Sequence, residues 1–159
     1  MGRELSELQI AENVEHILRA ISTRVRREGR KVLRDFPITP AQFDVLQILY
    51  FRGEKRMSDI SDVLGITKST TTGLVRRLMD GDFIRKHRSV KDKRSYMIKL
   101  SPSGEVLVES VIKRRVEFLH CVLKRVDSPK PQNYEKLLRE LLEAMQQDTD
   151  GPNKIGGRK

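Results

Sequence analysis

The chain holds 159 residues, with 32 Lys and Arg against 22 Asp and Glu, a formal net charge of +10. That length suits one domain, or one domain with an oligomerisation arm. At 37% hydrophobic and 34% charged, with no apolar run near the roughly 18 to 20 residues that cross a bilayer, it is neither a membrane protein nor a wholly disordered one.

Residues 3–34 read as one long helix. Ile10, Val14, Ile17, Leu18, Ile21 and Val25 recur at steps of three and four, Gly29 and Arg26-Arg27 weaken the last turns, and Pro37 ends it. Such a helix would extend about 45 Å, longer than a small domain needs, which suggests an arm packing on a partner chain. Thr39-Pro40-Ala41-Gln42 opens a second helix, with Thr as N-cap, Pro at the first position and Gln completing a capping box; Gly53 closes it. Ser58 is the expected cap of a short third helix carrying Ile60, Val63 and Leu64, with Asp59 and Asp62 suited to its dipole. Gly65-Ile66 makes a tight turn. Thr67 caps a fourth helix running from Lys68 to about Asp80, with Leu74, Val75 and Leu78 as its apolar face and Gly81 as its stop.

Residues 83–87 and 96–100 look like two strands, joined by the charged tip 88–95. Ser101-Pro102 begins a fifth helix reaching about Val126. After Pro129 and Pro131, Leu137, Leu138, Leu141, Leu142 and Met145 mark a sixth, and residues 148–159 read as a flexible tail. The fold class expected is mainly α with a small β-hairpin wing.

The charge is unevenly spread. Residues 52–99 hold 13 basic and 6 acidic side chains, a net +7, while residues 1–51 carry +1 and residues 100–159 carry +2. A concentrated basic surface favours a polyanion, because neutralised phosphates release counterions. Two short helices joined by a tight Gly-containing turn, followed by a charged hairpin, make a winged helix-turn-helix. The second helix of such a pair leads into the major groove with its N-terminal residues. Here that helix opens Thr67-Lys68-Ser69-Thr70-Thr71-Thr72, short, polar and free of acid, with hydroxyls able to meet phosphates or base edges. In the hairpin, Arg85, Lys86, Arg88, Lys91, Lys93, Arg94 and Lys99 face a single acid, Asp92, and would repel one another without a counter-anion. An Arg at a protruding tip can enter a narrow minor groove, and Asp92, two residues before Arg94, could hold its guanidinium for that insertion.

From Ile38 to about Glu109 the chain resembles the MarR family of bacterial transcriptional regulators. The likeness rests on Ile38-Thr39-Pro40-Ala41-Gln42-Phe43, Leu64-Gly65-Ile66-Thr67-Lys68-Ser69-Thr70, Leu74-Val75-Arg76-Arg77-Leu78, Gly81-Asp82-Phe83-Ile84-Arg85, Asp92-Lys93-Arg94 and Leu100-Ser101-Pro102-Ser103-Gly104. The resemblance implies a homodimer on a pseudo-palindromic site of double-stranded DNA, two recognition helices in successive major grooves and Arg94 at the minor groove. It implies a winged helix-turn-helix domain over 38–101, a helical dimerisation region over 1–36 and 102–147, and a repressor that releases DNA when a small molecule binds near the hinge between them. The effector stays unknown. The DNA-contacting set is Thr67, Lys68, Ser69, Thr71, Thr72, Arg77, Arg88, Lys91, Lys93 and Arg94, with Asp92 orienting the wing. Gly73 departs from the family, standing where many relatives carry a long DNA-contacting side chain; its lack of a side chain either permits close backbone approach or removes one base contact. Thr71 replaces a usual aliphatic residue, and Arg76 a frequent Asp.

Other readings carry less. Gly65-Ile66-Thr67-Lys68-Ser69 faintly resembles a phosphate loop, but Thr67 and Asp62 occupy its required glycines, and no nucleophile elbow appears, so no enzyme is expected. An architectural nucleic-acid-binding protein, or an activator of the same fold, would use the same basic surface. The single cysteine, Cys121, excludes an intrachain disulfide. With His16, His87 and His120 it makes no zinc-ligand spacing, so neither metal nor cofactor is expected; it reads as a partly buried thiol beside a surface imidazole. In one branch of the family a thiol in the first helix is oxidised in place of ligand binding, and this chain has none there. Residues 1–16 lack the apolar core of a signal peptide, so a cytoplasmic protein is expected. A second basic run, Arg24 to Arg34, either flanks phosphates or forms a solvated face; the solvated reading is preferred.

Overall fold

The computed structural model describes residues 6–90 and 94–148. The chain divides into two compact units, one reaching to Phe118 and one beginning at Leu119. The elements are α1 (Glu7–Arg30), a 3-10 turn (Val32–Asp35), α2 (Pro40–Arg52), α3 (Met57–Leu64), α4 (Lys68–Asp80), β1 (Ile84–Arg88), β2 (Tyr96–Leu100), α5 (Pro102–Leu123) and α6 (Pro131–Asp148). Most of the expected flexible tail, 149–159, lies outside the described residues. Among those described, no helix is long and apolar enough to cross a membrane.

Local chemistry explains most boundaries. Ser6 and Gln9 form a capping box at the start of α1, and Thr39 and Gln42 form the expected one at α2, with Pro40 at the first position. The first helix stops at Arg30, not Arg34. Pro37 holds Phe36 in an extended conformation (φ −128°, ψ 145°), and the preceding residues tighten into 3-10 bonds, Arg34 N–H to Lys31 O and Phe36 N–H to Leu33 O, which turn Leu33 into the core. The third helix begins one residue earlier than its expected cap. Ser58 lies inside it, and the Asp59 carboxylate accepts the Arg56 N–H at 3.0 Å from within the first turn. The stop of α4 also differs. Gly81 has φ −87°, and Asp82 takes the left-handed position (φ 54°) while Phe83 N–H reaches Leu78 O.

In the first unit a single core joins the helix-turn-helix to the hairpin and α5. Phe43, Leu46, Ile60, Val75, Leu78, Ile84, Ile98, Leu107 and Val111 are all buried. The hairpin is antiparallel, with Ile84 opposite Leu100 and Arg88 opposite Tyr96. Lys55 pairs on its free edge with Ile98 through two backbone bonds of 3.0 and 2.9 Å. Ser101 caps α5 by accepting Gly104 N–H, and its hydroxyl donates to Asp82 O. The apolar stripe of α1 joins no such core. Only Glu28 and Gly29 of that helix are buried, and Leu8, Ile10, Val14, Ile17 and Ile21 are exposed. In the second unit Leu119, Val122, Leu137, Leu138, Leu142 and Met145 are exposed too. Cys121, expected to be partly buried, is exposed, because it lies beyond the core-facing positions 104, 107, 108 and 111 of α5.

Candidate nucleic-acid interface

The turn between α3 and α4 sets the site. Gly65 is left-handed (φ 63°, ψ 31°), its N–H bonds to Asp62 O, and Ile66 N–H bonds to Ser61 O. Glycine adopts that conformation at no steric cost, so the chain reverses in two residues and delivers Thr67 as the N-cap of α4. The Thr67 hydroxyl accepts the Thr70 N–H at 3.3 Å and lies 3.0 Å from Ser69 Oγ. Residues 67–79 contain no acid, so the positive end of the helix dipole is left uncompensated toward the outside.

Burial divides α4 cleanly. Thr71, Val75 and Leu78 face the core, while Lys68, Ser69, Thr72, Gly73, Arg76 and Arg77 are exposed. Ser69, Thr72, Gly73 and Arg76 recur at steps of three and four and so share one outward side. Thr71 corrects the expected contact set. Its side chain is wholly buried, donating to Thr67 O at 3.1 Å and accepting from the Ser61 hydroxyl at 2.9 Å. It locks α3 to α4 from inside and cannot reach a duplex. Thr72, one residue on, points outward, with its hydroxyl on Lys68 O at 2.8 Å.

The hairpin brings further cations beside this helix. Arg88 is exposed, with its guanidinium carbon 5.8 Å from the centre of the Tyr96 ring, and Lys86 Nζ sits 4.1 Å from the same ring. The pleat accounts for this, since Arg88 faces Tyr96 directly and Lys86 is its diagonal neighbour on the same face. The repulsion expected among the hairpin cations is therefore partly relieved inside the chain. Arg85 lies 3.8 Å from Asp82, and His87 pins the strand to Glu54 at 2.8 Å. Arg94 is described and exposed; Lys91, Asp92 and Lys93 lie outside the described residues. A hollow of about 280 Å³ between the start of α3 and the hairpin is lined by Arg56, Ser58, Lys86 and Tyr96. Arg56 and Tyr96 were not among the expected contacts. Tyr96 was within reach of the strand register, whereas Arg56 becomes a neighbour only once α3 packs on the sheet.

A second concavity of about 330 Å³ lies where α1, α2, α3 and α5 meet, with Arg26, Arg30, Arg115, Asp44 and Phe43 in its wall. Arg115 donates to Gln47 Oε1 at 3.0 Å, and its buried Nε has no partner among the described residues. Burial, and then the nearby Arg26 and Arg30, pull its pKa down. The cations of the run from Arg24 to Arg34 are all exposed, in keeping with the solvated reading, though not all of them face open surface. Arg26 and Arg30 line this cavity, and Glu28 is buried between Lys31 at 2.8 Å and Arg114 at 3.2 Å.

Residues 38–96 match the model of the MarR family. The HTH-type transcriptional regulator YsmB of Bacillus subtilis, itself uncharacterised, is 30% identical over 138 residues, 87% of this chain and 94% of its own. The B. subtilis HTH-type transcriptional repressor MdtR is 25% identical over 67% of this chain and 69% of its own. The crystal structure of transcriptional regulator Tm0710 from Thermotoga maritima is similar over 89% of this chain and 99% of that one, at 40% identity and a TM-score of 0.79.

Proposed function

The chain belongs to the MarR family of DNA-binding transcriptional regulators and is not an enzyme, and on that premise we propose that it is a ligand-responsive repressor acting as a homodimer on a pseudo-palindromic operator. The outward side of α4 carries this reading: Lys68, Ser69, Thr72, Arg76 and Arg77 stand exposed on an acid-free stretch beside a basic hairpin. In this reading residues 38–101 bind DNA, residues 1–36 and 102–147 dimerise, and the protein works in the cytoplasm. Two copies of α4 enter successive major grooves, and Arg94 enters the minor groove. Uncovered apolar side chains on α1, at the end of α5 and on α6 support dimerisation, since apolar patches of this kind mark association surfaces. The repressor sign draws on the similarity to MdtR, named a repressor.

The cavity beside Arg115 suits a small anionic effector. Three guanidiniums, those of Arg26, Arg30 and Arg115, face one carboxylate, that of Asp44, in its wall. The test of operator binding is a competition between a fragment of the gene's own upstream region and random duplex at rising salt. A regulator retains a specificity ratio on the order of 10³ or more; equal loss on both duplexes would favour an architectural role.

A further inference from the structure

Three glycines lie within the described helices, and two of them have close neighbours. A Cβ on Gly29 would stand 2.6 Å from Arg115 Nε and 3.0 Å from Val111 Cγ1, and one on Gly104 would stand 2.1 Å from the Phe83 carbonyl oxygen. Each allows two elements to touch, α1 against α5 and α5 against the approach to β1. Gly73 differs. Among the described residues a Cβ there would meet nothing within 4 Å, and its φ is not left-handed. It sits in mid-helix on the outward side of α4, among Ser69, Thr72 and Arg76. Neither packing among the described residues nor backbone conformation calls for glycine, and alanine would make a firmer helix.

We propose that the neighbour of Gly73 is the duplex itself: the missing side chain lets the backbone of α4 seat deep in the major groove, which makes Gly73 a positioning residue for sequence recognition. The side chains around it make the same geometric demand. Ser69, Thr70 and Thr72 end one bond beyond Cβ, so a helix that reads with them must approach more closely than one that reads with long side chains. Hydrogen bonds tolerate only a few tenths of an ångström around about 2.7 to 3.2 Å. A methyl group at position 73 would lift these hydroxyls out of range while leaving the longer Lys68, Arg76 and Arg77 able to reach phosphates. Gly73 would therefore govern specific more than non-specific binding.

The inference rests on α4 being the duplex-reading helix, and its test separates the two. The full-length wild-type protein is used to enrich duplexes from a randomised library. Wild type and Gly73→Ala are then titrated with the enriched duplex and with a scrambled duplex of equal length, alongside thermal melts of the proteins alone. Gly73→Ala is expected to raise Tm by about 2 to 4 °C, to weaken binding to the enriched duplex by about tenfold or more, and to bind the scrambled duplex within about twofold of wild type. Equal affinity of both proteins for the enriched duplex would overturn the proposal, leaving Gly73 as a missing contact only. Equal losses on both duplexes would overturn it too. If the wild type enriches no sequence, the operator reading fails and takes this proposal with it.

Discussion

Thr71 and Thr72 are identical in type and adjacent in chain, yet one side chain bridges α3 and α4 inside the core and the other faces outward. Thr71→Val keeps the volume and removes the hydroxyl that Ser61 and the Thr67 carbonyl share. It should destabilise the fold by about 1 to 2 kcal/mol, measured by urea denaturation, while duplex affinity well below Tm stays within about twofold. A selective loss of DNA binding at unchanged stability would return Thr71 to the interface. For the wing tip, Arg94→Ala should weaken binding and lower the slope of log affinity against log salt by about 0.9 if the residue neutralises one phosphate. Affinity unchanged at every salt concentration would remove the tip from the mechanism.

Among the elements, α1 is joined to α5 by the close approach at Gly29 and by a buried carboxylate, that of Glu28. The hydrogen bond from Lys31, aided by Arg114, holds the Glu28 pKa below its ordinary 4.5 against the opposing effect of burial. A depressed carboxylate contributes stability that is fully present above its unfolded value and lost as pH falls through the folded one. Melting curves should therefore show an acid-side loss below 4.5 in the wild type. Glu28→Gln should flatten that part of the profile; an identical acid limb in both proteins would show that the tie contributes nothing. The N-caps of α2 and α4, the turn at Gly65 and both strands were legible in the sequence, because each depends on residues within a few positions of one another; the capping box of Ser6 and Gln9 is equally local but was not among the expected caps. The end of α1 was less so: Pro37 marked a stop, but the 3-10 turn before it is held by burial of Leu33, a tertiary matter.

Across the whole molecule, the +10 charge is concentrated in residues 52–99, which carry +7, with a separate basic cavity wall formed by Arg26, Arg30 and Arg115. The apolar sides of α1 and α6 belong to neither. If these sides carry the dimer, deleting residues 1–34 or 132–159 should leave a monomer or an aggregate by light scattering after gel filtration. A soluble, dimeric truncation would place the interface elsewhere. The order of helix, turn, helix and basic hairpin could be read directly, because periodicity, capping residues and a left-handed glycine act locally and leave their mark in consecutive letters. The burial of Thr71, the meeting of Arg115 with Gln47 and Gly29, and the open space around Gly73 were decided only by packing. Each depends on what lies opposite a residue once the helices have docked, and Arg115 reaches partners 68 and 86 positions away that no local pattern announces.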